Sequence, residues 1–260
     1  MSVYVFTGPT ISAAEARVEL EANYLPPAAE GDVYRVSLEK TRAIGIIDGY
    51  FHFTPAIRHK EILWAMSHGI HVFGSASMGA LRAAELASFG MEGVGTIFEQ
   101  YRDRILEDDD EVALVHAPSE MGFQAGSEAM VNIRQTLQAA ESEGVISLTT
   151  QFKLVTIAKE TYYPDRNYPA LLSQACEAAL PEEELERLRL WLPGGQVNQK
   201  RKDAIAMLRL MRERLATDWK PKVVTYPFEH TAMWESSRRR VHEAKNHGKA
   251  GATEPAKSSD

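Results

Sequence analysis

The stretch from His71 to Gly90, HVFGSASMGALRAAELASFG, reads as a strand that stops at a corner of small residues and becomes a helix. The run that leads into it, Ile70 to Phe73, is β-rich and does not alternate with polar residues. That is the pattern of a strand covered on both faces, as in a parallel sheet. Two serines, Ser75 and Ser77, stand in the corner.

Two earlier runs end in similar corners. VYVF runs into Thr7-Gly8-Pro9-Thr10, and AIGII runs into Asp48-Gly49. Each is followed by a helix start. Ser12 and Glu15 form an S-x-x-E capping box. Thr54-Pro55 reads as an N-cap followed by proline, opening a helix that runs to about His68 and stops at Gly69. EVALVHAP (Glu111 to Pro118) and DVYRVS (around Val33) read as further strands. The order strand, helix, strand, helix predicts an α/β fold with a parallel-sheet βαβ core. After about Met121 the texture changes. Met130, Ile133, Leu137 and Ala140 recur at helical spacing, and Ala204, Leu208, Met211 and Leu215 mark another amphipathic face. The expected organisation is a core over 1–120, a mostly helical C-terminal lobe over 121–235 packed on it, and a tail over 236–260.

Composition bounds the function. The formal net charge is −7. From Ser236 onward the balance is +3, which leaves −10 on the preceding 235 residues. So acidic a body lacks the basic footprint that nucleic acid requires. The tail has Val241 as its only large aliphatic residue and no aromatic ring, so it is expected to be disordered. No window has about 18 uninterrupted apolar residues, so no membrane span is expected. The start, MSVYVFTGPT, has no basic n-region or cleavage site and reads as a first strand. A single cysteine, Cys176, excludes an internal disulfide framework and fits a reducing cytoplasm.

In open parallel sheets, ligands bind beyond the carboxyl ends of the strands. The corners at Gly8-Pro9-Thr10, Asp48-Gly49-Tyr50 and Ser75-Ala76-Ser77 are therefore expected on one edge, as one site. Ser77 would sit at a helix N-terminus, where free backbone N–H groups favour negative charge. Ser75-x-Ser77-x-Gly79 resembles a nucleophile elbow with its first glycine replaced. The plainer reading is that serine is a preferred N-cap. A nucleophile needs a base. His59, His52 and His116 are the nearest histidines by position. Lys60 lies three residues after Ile57 and four before Trp64, on a partly apolar face roughly 8–9 Å down its expected helix. A desolvated lysine can act as a base; the alternative is a snorkelling surface lysine. Asp48 would orient Lys60, bond a ligand or form an Asx turn. The acidic run Glu107 to Glu111 suits Mg²⁺ or a solvated loop. No Walker A sequence, dinucleotide fingerprint or zinc spacing is present, so no cofactor or metal is expected.

The phrases AIGIIDGYF, HKEILWAMSHGIHVFGSASMGALRAAEL, FGMEGVGTIFEQYRD, LEDDDEVALVHAP and SEAMVNIRQTL together resemble the TfuA-like family, over about residues 3 to 138. The resemblance implies an unusual fold and a partnership with a YcaO enzyme in peptide backbone thioamidation. It implies hydrolysis of the thiocarboxylate of a ThiS-like sulfur-carrier protein, releasing sulfide beside YcaO, which acts on a peptide or protein substrate. It implies a Ser–Lys pair, carried here by Ser77 and Lys60, with Ser75 lining the corner. Met78, Gly79, Asp48 and Gly49 would supply oxyanion or substrate contacts, and Arg82 would hold the anionic sulfur or form a salt bridge. The rival readings are a non-catalytic adaptor that docks YcaO and its peptide, and a general serine hydrolase.

Overall fold

The computed structural model describes residues 2–51, 54–217 and 219–250. The elements run β1 (Ser2–Phe6), α1 (Ala13–Glu19), β2 (Asn23–Leu25), α2 (Asp32–Ser37), β3 (Thr41–Ile46), α3 (His59–Ser67), β4 (His71–Ser75), α4 (Met78–Leu86), β5 (Glu92–Val94) and α5 (Thr96–Arg102). Then come α6 (Met130–Ser142), α7 (Leu148–Glu160), α8 (Tyr168–Glu177), α9 (Glu182–Gly195), α10 (Gln199–Ala216) and α11 (Ala232–Ala250). The strands form one sheet in the order β2-β1-β3-β4-β5, and every pairing is parallel. The α/β reading therefore holds. This is the doubly wound order whose switch point, where ligands bind, lies between β1 and β3.

Both faces of the sheet are covered, which is why the strands read as unbroken apolar runs. On one face Ile44, Ile46 and Val72 pack with Ile62 and Met66 of α3 and Ala80 and Ala83 of α4. On the other, Val5, Ala43 and Phe73 pack with Ala16 of α1 and Ala204, Met207, Leu208 and Met211 of α10. Helices α6 to α9 close over a separate core around Ile133, Leu137, Leu154, Leu172 and Leu188. The expected lobe thus divides: α6–α9 pack on one another, and α10 returns to the sheet. That return carries the N-terminus of α10 to the carboxyl edge of the strands.

Four expectations are corrected. DVYRVS is helix α2, not a strand: Val33, Tyr34 and Val36 are buried and lie together on one helical face. EVALVHAP is not a strand either. It is a loop whose backbone is held by side chains and one short bridge: Lys200 Nζ donates to Val112 O, Val115 N to Ser127 Oγ, and His116 bridges Ala125. Helix α3 starts at His59, not after Thr54. Residues 54–58 stay extended because Pro55 O accepts from Glu30 N and Ala56 bridges Ala29, while the Glu61 carboxylate accepts the Arg58 N–H at the true helix start. Finally, residues 236–250 belong to α11 rather than to a disordered tail. The anchor is Trp234, just ahead of the expected boundary, buried against Tyr34 and Trp64. Ser237 and Arg240 bond to Glu30. Residues 251–260 lie outside the described residues.

Candidate active site

The corner after β4 is built by glycine. A Cβ on Gly79 would lie 1.8 Å from Ile46 O, and one on Gly74 would lie 2.1 Å from Gly79 O. Only glycine lets the first turn of α4 rest on the end of β3. Between them the chain reverses tightly: Ser77 N donates to Ser75 O at 2.7 Å, around Ala76 with φ of 66°. This is a γ-turn of the rarer, strained hand. Alanine in the left-handed region carries strain that the surrounding packing has to hold, and Ala76 is fully buried.

The turn places Ser77 at the N-cap of α4, but its hydroxyl does not cap. Ser12, Ser147, Asn167 and Asn198 stand at other N-caps, and each accepts the backbone N–H three residues on. Ser77 instead lines a cavity of about 270 Å³, to which the three strand ends contribute Pro9, Asp48, Gly49 and Ser77 itself. The three corners read from sequence do meet on one edge. Among the described residues, the N–H groups of Met78 and Gly49 have no hydrogen-bond acceptor. The two residues touch closely, since a Cβ on Gly49 would lie 2.8 Å from Met78 Cγ. Gly79 N–H, by contrast, is engaged by Ile47 O at 3.3 Å.

Asp48 is buried and locked in place. Its carboxylate accepts from Gly8 N at 2.9 Å, Thr10 N at 3.1 Å and Thr10 Oγ1 at 2.6 Å, which ties the end of β3 to the corner after β1. Ser75 is fully buried, and its hydroxyl donates to Val94 O at 2.8 Å, joining β4 to β5.

The lysine in this cavity is Lys200, from the first turn of α10. It is 2% exposed, and its Nζ donates to Val112 O at 2.9 Å. Burial pushes its pKa below lysine's ordinary value, against the opposing pull of the Asp48 and Glu128 carboxylates. Its backbone N–H is held by Asn132 Oδ1 at 3.1 Å, which ties α10 to α6. Sequence reasoning missed Lys200, although a signal existed. It lies four residues before Ala204 and eight before Leu208, on the same apolar stripe extended back by one turn.

The remaining wall is the loop after α5. The acidic run holds it through ion pairs. Glu111 makes a bidentate pair with Arg134 at 2.9 and 2.8 Å. Asp110 pairs with the buried Arg166 at 2.5 Å and with Lys159. Lys159 also reaches Asp108 at 3.0 Å and Glu111 at 3.1 Å. No group of three or more His, Cys, Asp or Glu side chains suited to a metal occurs among the described residues. The clamped loop sets Leu114 and His116 into the cavity wall, opposite Tyr50 and Tyr163. His116 Nδ1 donates to Ala117 O at 2.8 Å.

Three sequence candidates lie elsewhere. Lys60 is the second residue of α3, and its Nζ donates to Glu229 O at 2.9 Å with the Phe228 ring 5.0 Å away. It does not line the Ser77 cavity. The late start of α3 is the reason, since the expected geometry counted the helix from Thr54. His59 pairs with Glu85 at 2.7 Å. Arg82 pairs with Glu85 at 2.7 Å and bonds Ile57 O at 3.2 Å, on a neighbouring groove. His52 lies outside the described residues.

Fold and site together define a doubly wound α/β protein with a pocket at its topological switch point. Residues 48–167 match the model of the family described as TfuA-like protein. The match supports a connection to peptide thioamidation alongside YcaO enzymes. The match includes Asp48 and Ser77 and ends before Lys200. No curated protein matches the chain. Among the described residues, no helix is long and apolar enough to cross a membrane.

Proposed function

We propose that the chain hydrolyses the thiocarboxylate of a ThiS-like sulfur-carrier protein and delivers the sulfide to YcaO. The observation that carries this reading is the uncapped Ser77 hydroxyl, at a helix N-terminus, sharing one small cavity with a desolvated lysine. In this reading the base is Lys200 rather than Lys60.

A neutral amine keeps two N–H bonds and one lone pair. Lys200 can therefore donate to Val112 O and still accept a proton. Ser77 Oγ attacks the thiocarboxylate carbon as Lys200 takes the hydroxyl proton. The N–H groups of Met78 and Gly49 receive the oxyanion; the residue after the nucleophile and one from a neighbouring strand-end loop are the usual donors at such an elbow. Collapse breaks the C–S bond, and the sulfur leaves as hydrosulfide with the proton from Lys200. Water, deprotonated by Lys200, then attacks the Ser77 ester. The carrier departs as its carboxylate, and Ser77 recovers its proton. No redox step is involved.

The cavity admits a small, unbranched end such as Gly-Gly, because aromatic side chains wall it. That argues against broad esterase action. The test is the isolated chain mixed with thiocarboxylated carrier, with sulfide followed over time. The proposal expects sulfide without YcaO present and little action on generic esters. Sulfide only when YcaO is added would instead favour the adaptor role.

A further inference from the structure

We infer that Asn132 is the positioning residue of the site: from α6 it fixes the first turn of α10, and so holds the Lys200 amine in the Ser77 cavity. Glu128 stands behind it and orients the Asn132 amide. This rests on Lys200 being the base of the proposed hydrolysis, and names residues that act through it.

Lys200 is the second residue of α10. Backbone N–H groups in a first turn have no partner within their own helix. Here the Lys200 N–H is taken by Asn132 Oδ1 at 3.1 Å, across from α6. Asn132 Nδ2 donates to Glu128 Oε1 at 2.8 Å and to Asn198 Oδ1 at 3.4 Å. Asn198 is the N-cap of α10, and its Oδ1 also accepts from Arg201 N at 2.9 Å. Asn132 is 4% exposed. Acceptors face its nitrogen and a donor faces its oxygen, so only one orientation of the amide satisfies all three bonds. That orientation fixes where α10 begins. The register matters because an α-helix turns about 100° per residue. A start one residue earlier or later would swing Lys200 away from Val112 O and out of the cavity.

Glu128 also acts by charge. Its carboxylate is held by Ala129 N at 3.0 Å as well as by Asn132. Its negative charge favours the protonated amine of Lys200, as does that of Asp48. Of the other groups around the amine, Tyr50, Asp109, His116 and Tyr163 line the same cavity. Glu111 is spent on Arg134, Asp203 on Ile97 N and Gln199, and Glu15 of α1 on Arg201. Asn132 and Glu128 therefore pull the lysine in opposite directions when removed. Losing the Glu128 charge makes the amine easier to deprotonate. Freeing the first turn relieves its burial and makes it harder.

The test is a titration that does not depend on hydrolysis. The full-length chain is isotope-labelled at the lysine Cε, and the Lys200 resonance, assigned by its loss in Lys200→Arg, is followed with pH by NMR. The midpoint should rise by about one pH unit in Asn132→Ala and fall by about half a unit in Glu128→Gln, which keeps an acceptor for the Asn132 amide. Leu172→Ala, in the core of α6–α9, is the comparator: it should lower the melting temperature and leave the midpoint in place. Should Asn132→Ala not fold, Asn132→Ser takes its place with the same expected rise. Unmoved midpoints, shifts of one sign in both variants, or an equal shift in Leu172→Ala would overturn the assignment. A wild-type chain that shows these shifts but releases no sulfide would count only against the hydrolytic reading.

Discussion

The side chain of Lys200 and the carbonyl of Val112 meet at 2.9 Å, joining the first turn of α10 to the loop that forms the far wall of the Ser77 cavity. The residue before Val112 is Glu111, buried and paired bidentately with Arg134. The position of the lysine therefore depends on the acidic loop. Replacing Glu111 with Gln removes the charge that holds Arg134 and Lys159, and should cost about 1–3 kcal/mol of stability. It should also move the midpoint of the pH–activity curve, because the Val112 carbonyl shifts with it. Urea melts and carrier hydrolysis against pH check both halves; a stability loss with an unmoved midpoint would make the clamp purely structural.

In the proposed mechanism Lys200 serves as a base only when neutral, so activity should rise with pH through its lowered pKa. The same shift makes the unfolded chain bind more protons at pH values between the folded and unfolded pKa, so this group's contribution to stability increases with pH there. Lys200→Arg should lose about 10²-fold or more of the rate, since arginine cannot deprotonate at workable pH. Lys60→Met should stay within about threefold of wild type, because its nearest bond is to Glu229 O and proton-transfer losses are larger. Steady-state sulfide release by the two variants separates the two lysines.

Glu61 gives a pH dependence of the opposite sign. It is buried at the junction of α2 and α3, where it accepts from Tyr34 N and Arg58 N, and burial raises its pKa from 4.5 to about 7. A carboxyl raised on folding adds stability that is fully present below pH 4.5 and lost as pH rises through about 7. The span corresponds to about 3 kcal/mol. Thermal melts across that window should show the loss in wild type and a flatter profile in Glu61→Gln.

The C-terminal helix has its own test. Trp234 is 2% exposed and packs on Tyr34 and Trp64. Trp234→Ala should cost about 3–5 kcal/mol, as for other buried tryptophans. Denaturant unfolding measures it, and a loss below about 1 kcal/mol would mean the helix is only loosely seated.

The sheet and its functional edge were legible because their signals are local. Apolar runs that end in Gly-Pro, Asp-Gly and Ser-Ala-Ser corners identify β1, β3 and β4 without help from the rest of the chain. The errors came where tertiary contacts overrode local pattern. Val33 and Tyr34 favour strand by type but turn toward α3 and α11 as helix α2. Val112 to Val115 form an unbroken apolar run like a buried strand, yet side chains from other elements hold their backbone. The tail lost its anchor because the boundary was drawn after Trp234. Lys200 was missed because a lysine on an apolar stripe reads as the end of the stripe; its meaning appears only when α10 returns to the sheet.

The central claim is that Ser77 is the nucleophile, and the most direct measurement is the rate of sulfide release from thiocarboxylated carrier by Ser77→Ala, alongside its thermal melt. Because the Ser77 hydroxyl caps no helix N–H, the substitution should leave stability nearly unchanged, where loss of a working N-cap costs about 0.5–2 kcal/mol. The rate should fall by at least about 10³-fold, the scale of losing a nucleophile. A folded Ser77→Ala chain that releases sulfide at the wild-type rate would contradict the account.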